Sequence, residues 1–353
     1  MPGFRILNTH ALEDRNLNVI FPSRIKPDVS VYRSDACPEQ PTDSSLLEIV
    51  IEFKSNVYDD PFSDNPKAKR DDDGIEKPRY LLNSSKLAND TLGQISTYAA
   101  AQLGSQFRTH AYSILVVKRR ARILRWDRSG VIVTAAIEFN KDPLLAEFFR
   151  RYSQAPGDMR GIDQSVSVIS DPKAEDGVAA RKALRLPNKV SLFRLEIPTS
   201  DGFSRYFITT APEAIFYAPP GRATRGFHAY DISGKTPCFL KDTWRVDIPD
   251  IQAEGLTYEA LNNHSVANIP KCVASGDIST VTYHATKTYG YASQEWALPP
   301  TELTGHGQLI PHRHYRLALD VIGRSLLNFR SSYELVRAVR DAIIGKLYRP
   351  NCK

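Results

Sequence analysis

Three groups of residues in this chain have the types and spacing that chemistry needs. The first is Asp28, Glu52-x-Lys54 and Gln94-x-x-x-Tyr98. Successive side chains alternate faces along a strand, so in EIVIEFK (48–54) Glu52 and Lys54 point the same way. Asp28 opens the preceding strand and lies beside Glu52 if the two strands pair. Two carboxylates there suit a hard Mg²⁺ ion through oxygen. The metal activates water and neutralises developing charge, and Lys54 polarises the attacking water or stabilises the phosphorane, as in phosphodiester hydrolysis. Gln94 and Tyr98, at i and i+4, share one helix face.

The second group is a glycine turn, Gly221-Arg-Ala-Thr-Arg-Gly226, followed by Lys241 and Glu254, with Glu259 as an alternative to Glu254. The turn lacks a Gly-Lys-[Ser/Thr] ending and is no P-loop. The third is the basic hairpin Lys118, Arg119, Arg120, Arg122, Arg125 and Arg128. It offers phosphate contacts to a nucleic acid, although a solvated hairpin face is the plainer reading. His312-Arg313-His314 reads as a solvated strand entry.

Several elements must position these groups. Strands are expected at 28–32, 48–54, 111–117, 121–126 and 131–137, and helices at 87–103 and 143–152. The first helix would be capped by Asn89, Asp90 or Thr91. Residues 55–85 are polar and aperiodic and read as a surface loop. Residues 169–188 read as a linker between a domain at 1–168 and another at 189–353. Beyond it, turn signals separate strands at 191–196, 206–210, 214–217, 226–231 and 237–241. A helix at 252–262, a strand at 315–321 and a helix at 332–347 follow. The fold class is α+β: an α/β unit, then an antiparallel sheet with one packed helix.

Composition narrows the classes. The 353 residues carry 46 Lys+Arg against 40 Asp+Glu, with 42% hydrophobic residues, which is ordinary globular chemistry. Residues 1–165 hold 23 basic against 22 acidic side chains, so no dedicated nucleic-acid coat is present. Four scattered cysteines without Cys-x-x-Cys argue against a zinc site or a disulfide framework. No apolar run reaches membrane-helix length and no leader pattern opens the chain. The expectation is an intracellular protein, cytoplasmic or nuclear, with no membrane association.

The first group resembles the PD-(D/E)XK nuclease superfamily, with the helix motif of its RecB-like branch, over roughly residues 1–150. The second resembles a protein-kinase N-lobe, in which a glycine turn covers ATP phosphates and a strand lysine is held by a helix carboxylate. PPGRATRGFHAY, FLKDTWR, HRHYRLALDVIGRSLLNF and ELVRAVRDAI are similar to the fungal-type protein kinase family, as are ISTYAAAQ, RILRWDRSGVIVTAAI and RGIDQSV. That resemblance implies ATP binding through Gly221, Gly226, Lys241 and Glu254, weak or vestigial. Mg²⁺ at Asp28 and Glu52 is implied by the nuclease resemblance.

The sequence departs from the kinase pattern. A His-Arg-Asp loop and an Asp-Phe-Gly motif are missing, and the chain ends twelve residues after Asp341. The expectation is therefore a truncated kinase, a pseudokinase N-lobe whose C-lobe is missing, acting as a regulatory or nucleotide- or protein-binding fragment. The alternatives are a Mg²⁺-dependent nuclease using Asp28, Glu52 and Lys54, with Gln94 and Tyr98 in support, and an interaction scaffold with neither site working.

Overall fold

Alternation in segment 47–54 produces a strand that buries both of its faces, and the first half of the molecule is built around it. The computed structural model describes residues 1–14, 24–38, 42–64, 81–82, 85–212, 218–278, 284–294, 296–297, 309–324 and 326–347. Two units emerge, one from residues 1–164, 212–223 and 285–312, the other from residues 165–211, 224–284 and 313–353.

The first unit contains β1 (Phe4–Asn8), β2 (Val29–Arg33), β3 (Leu47–Lys54), the two-residue strands β4 (Phe62–Ser63) and β5 (Leu81–Leu82), α1 (Lys86–Ser105), β6 (Ala111–Val117), β7 (Arg120–Asp127), β8 (Gly130–Val133) and α2 (Leu144–Gln154). Its main sheet has the order β1-β2-β3-β6-β7-β8. Only the β3–β6 pair is parallel, with α1 as the crossover that parallel neighbours require. Ile49 and Ile51 pack with Ile114, Val116 and the aromatic side of α2, including Phe148 and Tyr152. Val50, on the opposite face, packs with Tyr98 and Ala101 of α1. Phe53, at the end of the same alternation as Ile49 and Ile51, is exposed.

Helix α1 starts earlier than expected. Its cap is Ser85, whose hydroxyl accepts the Ala88 N–H at 3.2 Å, so Asn89, Asp90 and Thr91 lie inside the helix. Part of the expected loop is also ordered. Residues 57–59 form a single 3-10 turn, and Asp60 and Asp64 pair with Arg122. Residues 65–80 lie outside the described residues.

The second unit contains β9 (Val166–Val168), α3 (Glu175–Leu184), β10 (Phe193–Pro198), β11 (Ser204–Thr209), β12 (Arg225–Asp231), β13 (Thr236–Val246), α4 (Glu254–Asn263), β14 (Cys272–Asp277), β15 (His312–Leu319) and α5 (Ser332–Leu347). One seven-stranded sheet runs β14-β15-β13-β12-β11-β10-β9. The segment read as a linker carries α3, whose Ala180 packs beneath Leu192, Ile208 and Tyr230. Pro172 and Pro187 on either side, and Gly177 in its first turn, hid ten helical residues. The expected strand at 214–217 lies outside the described residues.

A charged knot sits inside this sheet. Asp242 accepts from Arg225 Nη2 at 2.5 Å, His314 Nε2 at 2.5 Å and Arg316 Nε at 3.1 Å. Arg316 Nη1 continues to Ser165 Oγ and the Glu196 carbonyl. His314 stacks between Trp244 and His284. The reading of His312-Arg313-His314 as a solvated strand entry is therefore corrected. Both histidines are buried, and Arg313 is paired with Asp247.

Burial opposes ionisation of Asp242, but His314, Arg225 and Arg316 overcome it and hold the carboxyl well below its ordinary value. A depressed carboxyl stabilises the fold fully above the unfolded pKa of about 4 and progressively less as pH falls below it. Asp242→Ala leaves three donors facing a buried gap. It should cost about 3–5 kcal/mol in urea denaturation at pH 7, and the deficit should shrink on acidification.

Candidate functional site

The first site is assembled by β2, β3 and α1. Pairing of Val29 with Ile51 sets Asp28 beside Glu52 at the end of the β2–β3 ladder. The Asp28 carboxylate accepts the Phe53 N–H at 2.8 Å. Lys54 Nζ donates to Glu52 Oε1 and to Gln94 Oε1, both at 2.7 Å. Gln94 Nε2 donates to the Tyr98 hydroxyl, which donates to the Lys26 carbonyl, each at 2.7 Å. The five residues singled out in the sequence thus lie in one contiguous cluster.

Its electrostatics are unbalanced. Glu52 is only 2% exposed, and burial pushes its carboxyl up, Lys54 opposes this, and Asp28 adds to it. Glu52 Oε2 is buried with no hydrogen-bond partner among the described residues, while the Asp28 backbone acts to lower the carboxyl. A buried carboxylate oxygen without a donor is costly. A cation bound between Asp28 and Glu52 would satisfy it, and two carboxylates are the donor set that Mg²⁺ or Mn²⁺ takes.

The second site lies in the sheet of the other unit. β12 and β13 are antiparallel with Gly226 opposite Lys241. Lys241 Nζ contacts Glu254 Oε2 at 2.5 Å, with both side chains partly exposed. Glu254 opens α4, so the partner of Lys241 is Glu254 and not Glu259. Gly226 leaves room for a neighbour: a Cβ there would lie 2.8 Å from Phe239 Cζ. Gly221, at φ +114°, needs glycine for its backbone. It falls in the first unit, where its N–H donates to the Arg128 carbonyl at 2.8 Å. The expected nucleotide set therefore divides: Gly226, Lys241 and Glu254 share one unit, and Gly221 is bonded within the other.

The basic hairpin is corrected in part. Arg122 is buried against Asp60 and Asp64, Arg125 pairs with Asp127, and Arg128 is buried with its guanidinium on the Pro219 and Leu103 carbonyls. Lys118, Arg119 and Arg120 remain exposed at the turn. Arg122 and Arg128 are buried and Arg125 is half-buried and paired, so the hairpin presents three open charges at its turn rather than six.

Comparison with known proteins bears on both sites. The family model described as "Fungal protein kinase" matches residues 75–349. The chain belongs to the fungal protein kinase family. Neither the curated proteins nor the solved structures contain a match. The matched stretch of this fungal protein kinase family member includes Gln94, Tyr98, Lys241 and Glu254. Asp28, Glu52 and Lys54 precede it.

Two contributions were not legible in the sequence. One is the Lys26 carbonyl, a backbone acceptor with no side-chain signal. The other is the Tyr315 hydroxyl, which accepts the Gly255 N–H next to Glu254 at 2.8 Å and which only chain folding brings to α4. Tyr98→Phe should cost about 1–2 kcal/mol in urea denaturation, because the Lys26 carbonyl and the Gln94 amide each lose a partner while the ring is retained.

Proposed function

We propose that this fungal protein kinase family chain binds a nucleotide through its second unit and does not by itself transfer phosphoryl groups. The observation that carries the reading is the Lys241–Glu254 contact. A strand lysine held by a helix carboxylate is the arrangement that orients α- and β-phosphates in protein kinases. The strand order β14-β15-β13-β12-β11, with α4 between β13 and β14 in the chain, supports an N-lobe-like assignment. Residues 1–353 contain no His-Arg-Asp and no Asp-Phe-Gly, so the kinase-type base and metal carboxylates have no counterpart among them. The chain then acts as a regulatory, nucleotide-responsive module.

Isothermal titration of the whole chain with ATP and Mg²⁺ should give a dissociation constant of about 0.1 mM or weaker, about −5 kcal/mol. Lys241→Ala should weaken it further. No label should move from γ-labelled ATP to the chain or to a generic acceptor. Incorporation that disappears in Lys241→Ala would defeat the non-transferring reading.

A second reading is favoured by Glu52 Oε2. A buried carboxylate oxygen without a donor, beside Asp28 and Lys54, suits a divalent metal and phosphodiester hydrolysis on a nucleic acid. Mn²⁺ or Mg²⁺ should raise the melting temperature of the wild-type chain and leave Glu52→Gln unmoved. Plasmid nicking that needs the metal should fall to background in Glu52→Gln. A melting temperature indifferent to both metals removes this reading.

A further inference from the structure

The Lys241–Glu254 contact depends on where α4 begins, and α4 is weakly anchored. It has ten residues and no side-chain N-cap, and Gly255 is its only buried residue. A helix start leaves amide N–H groups without helical acceptors. Here the Gly255 N–H donates to the Tyr315 hydroxyl at 2.8 Å, a buried phenol on β15. The Ser275 hydroxyl on β14 lies against the same helix start. Contact is so close that a Cβ at 255 would lie 2.0 Å from Ser275 Oγ, 2.5 Å from Ser275 Cβ and 2.6 Å from Tyr315 Oη. β15 lies between β14 and β13 in the sheet, so the phenol sits on the strand next to that of Lys241.

We propose that Tyr315, with Ser275 and Gly255, forms a latch that caps α4 from the neighbouring sheet and holds Glu254 against Lys241. Tyr315 is a positioning residue. It substitutes for the missing N-cap, and the absent side chain of Gly255 allows the approach. Glu254 is the adjacent residue, so a shift of the first turn by the width of one methyl group takes its carboxylate off the ammonium. Elsewhere α4 is held by half-buried Tyr258 and, at its far end, by Asn262, whose side chain donates to the Pro270 carbonyl at 3.2 Å and accepts the Cys272 N–H at 3.4 Å. They leave the latch as the element that sets the position of this turn. The consequence for nucleotide affinity rests on the reading above, whereas the latch itself does not.

The test is reductive methylation of the full chain with labelled formaldehyde and a borohydride donor, without nucleotide. The rate at Lys241 is read by peptide mass spectrometry relative to exposed Lys271. Glu254→Gln sets the rate of an unpaired Lys241. Tyr315→Phe keeps the ring and removes the acceptor. It should raise the Lys241 rate about fivefold, which is one hydrogen bond of ~1 kcal/mol at 1.4 kcal/mol per factor of ten. Gly255→Ala should approach the Glu254→Gln rate, and adding Ser275→Gly, which removes two of the three clashing atoms, should bring it back toward wild type. Far-UV circular dichroism reports whether each variant folds, and Tyr315→Phe keeps the test decisive if Gly255→Ala does not. Wild-type Lys241 rates in folded Tyr315→Phe, beside a raised rate in Glu254→Gln, overturn the latch. An unchanged rate in Glu254→Gln overturns it too, since no pair would then be held. Parallel ATP titration separates the two ideas: rates that respond while ATP fails to bind keep the latch and remove the nucleotide reading.

Discussion

A carboxylate taken out of water must be met by cations or donors, or give up its charge, and this constraint organises both units. Glu48 is met in full: Arg108, Arg160 and the Tyr152 hydroxyl occupy its two oxygens at 2.7–3.0 Å. Asp242 is met by two arginines and the His314 imidazole in the other unit. These knots fix strand register, because a slip of one residue would turn each charge toward the opposite face of the sheet. Glu52 is the departure. One oxygen is held by Lys54 and the other is bare.

The two candidate sites use their lysines differently. Lys54 is shared between Glu52 and Gln94 and is tied through Tyr98 to the backbone at Lys26. That chain of hydrogen bonds crosses from strand to helix to an irregular segment, and it restrains Lys54 at several points. Lys241 has Glu254 as its ion-pair partner, on a helix whose first turn is held by one phenol and one close backbone approach.

Much of this was legible in the sequence. Period-two alternation in 48–54 placed Glu52 and Lys54 on one face, and i, i+4 spacing placed Gln94 and Tyr98 on one helical face. Glu254 as partner of Lys241 followed from family resemblance, not from spacing. Errors arose where local signals were ambiguous. Pro172, Gly177 and Pro187 made 169–188 look like a linker, yet Ala180 found a hydrophobic floor there and a helix formed. Arginines at 122 and 128 looked like part of a solvated face, but their acidic and carbonyl partners lie far off in sequence.

Residue type and periodicity by themselves determined which side chains are charged, which faces alternate and where many of the strands and helices fall. These are properties of neighbours along the chain. The tertiary structure alone decided which charges are paired. It buried His314 beside Asp242, 72 positions away, left Glu52 Oε2 without a donor, and set Tyr315 against Gly255 across 60 residues. The energy of a buried charge or an orphan amide depends on what the fold brings within about 3 Å, and local sequence carries no record of that distance.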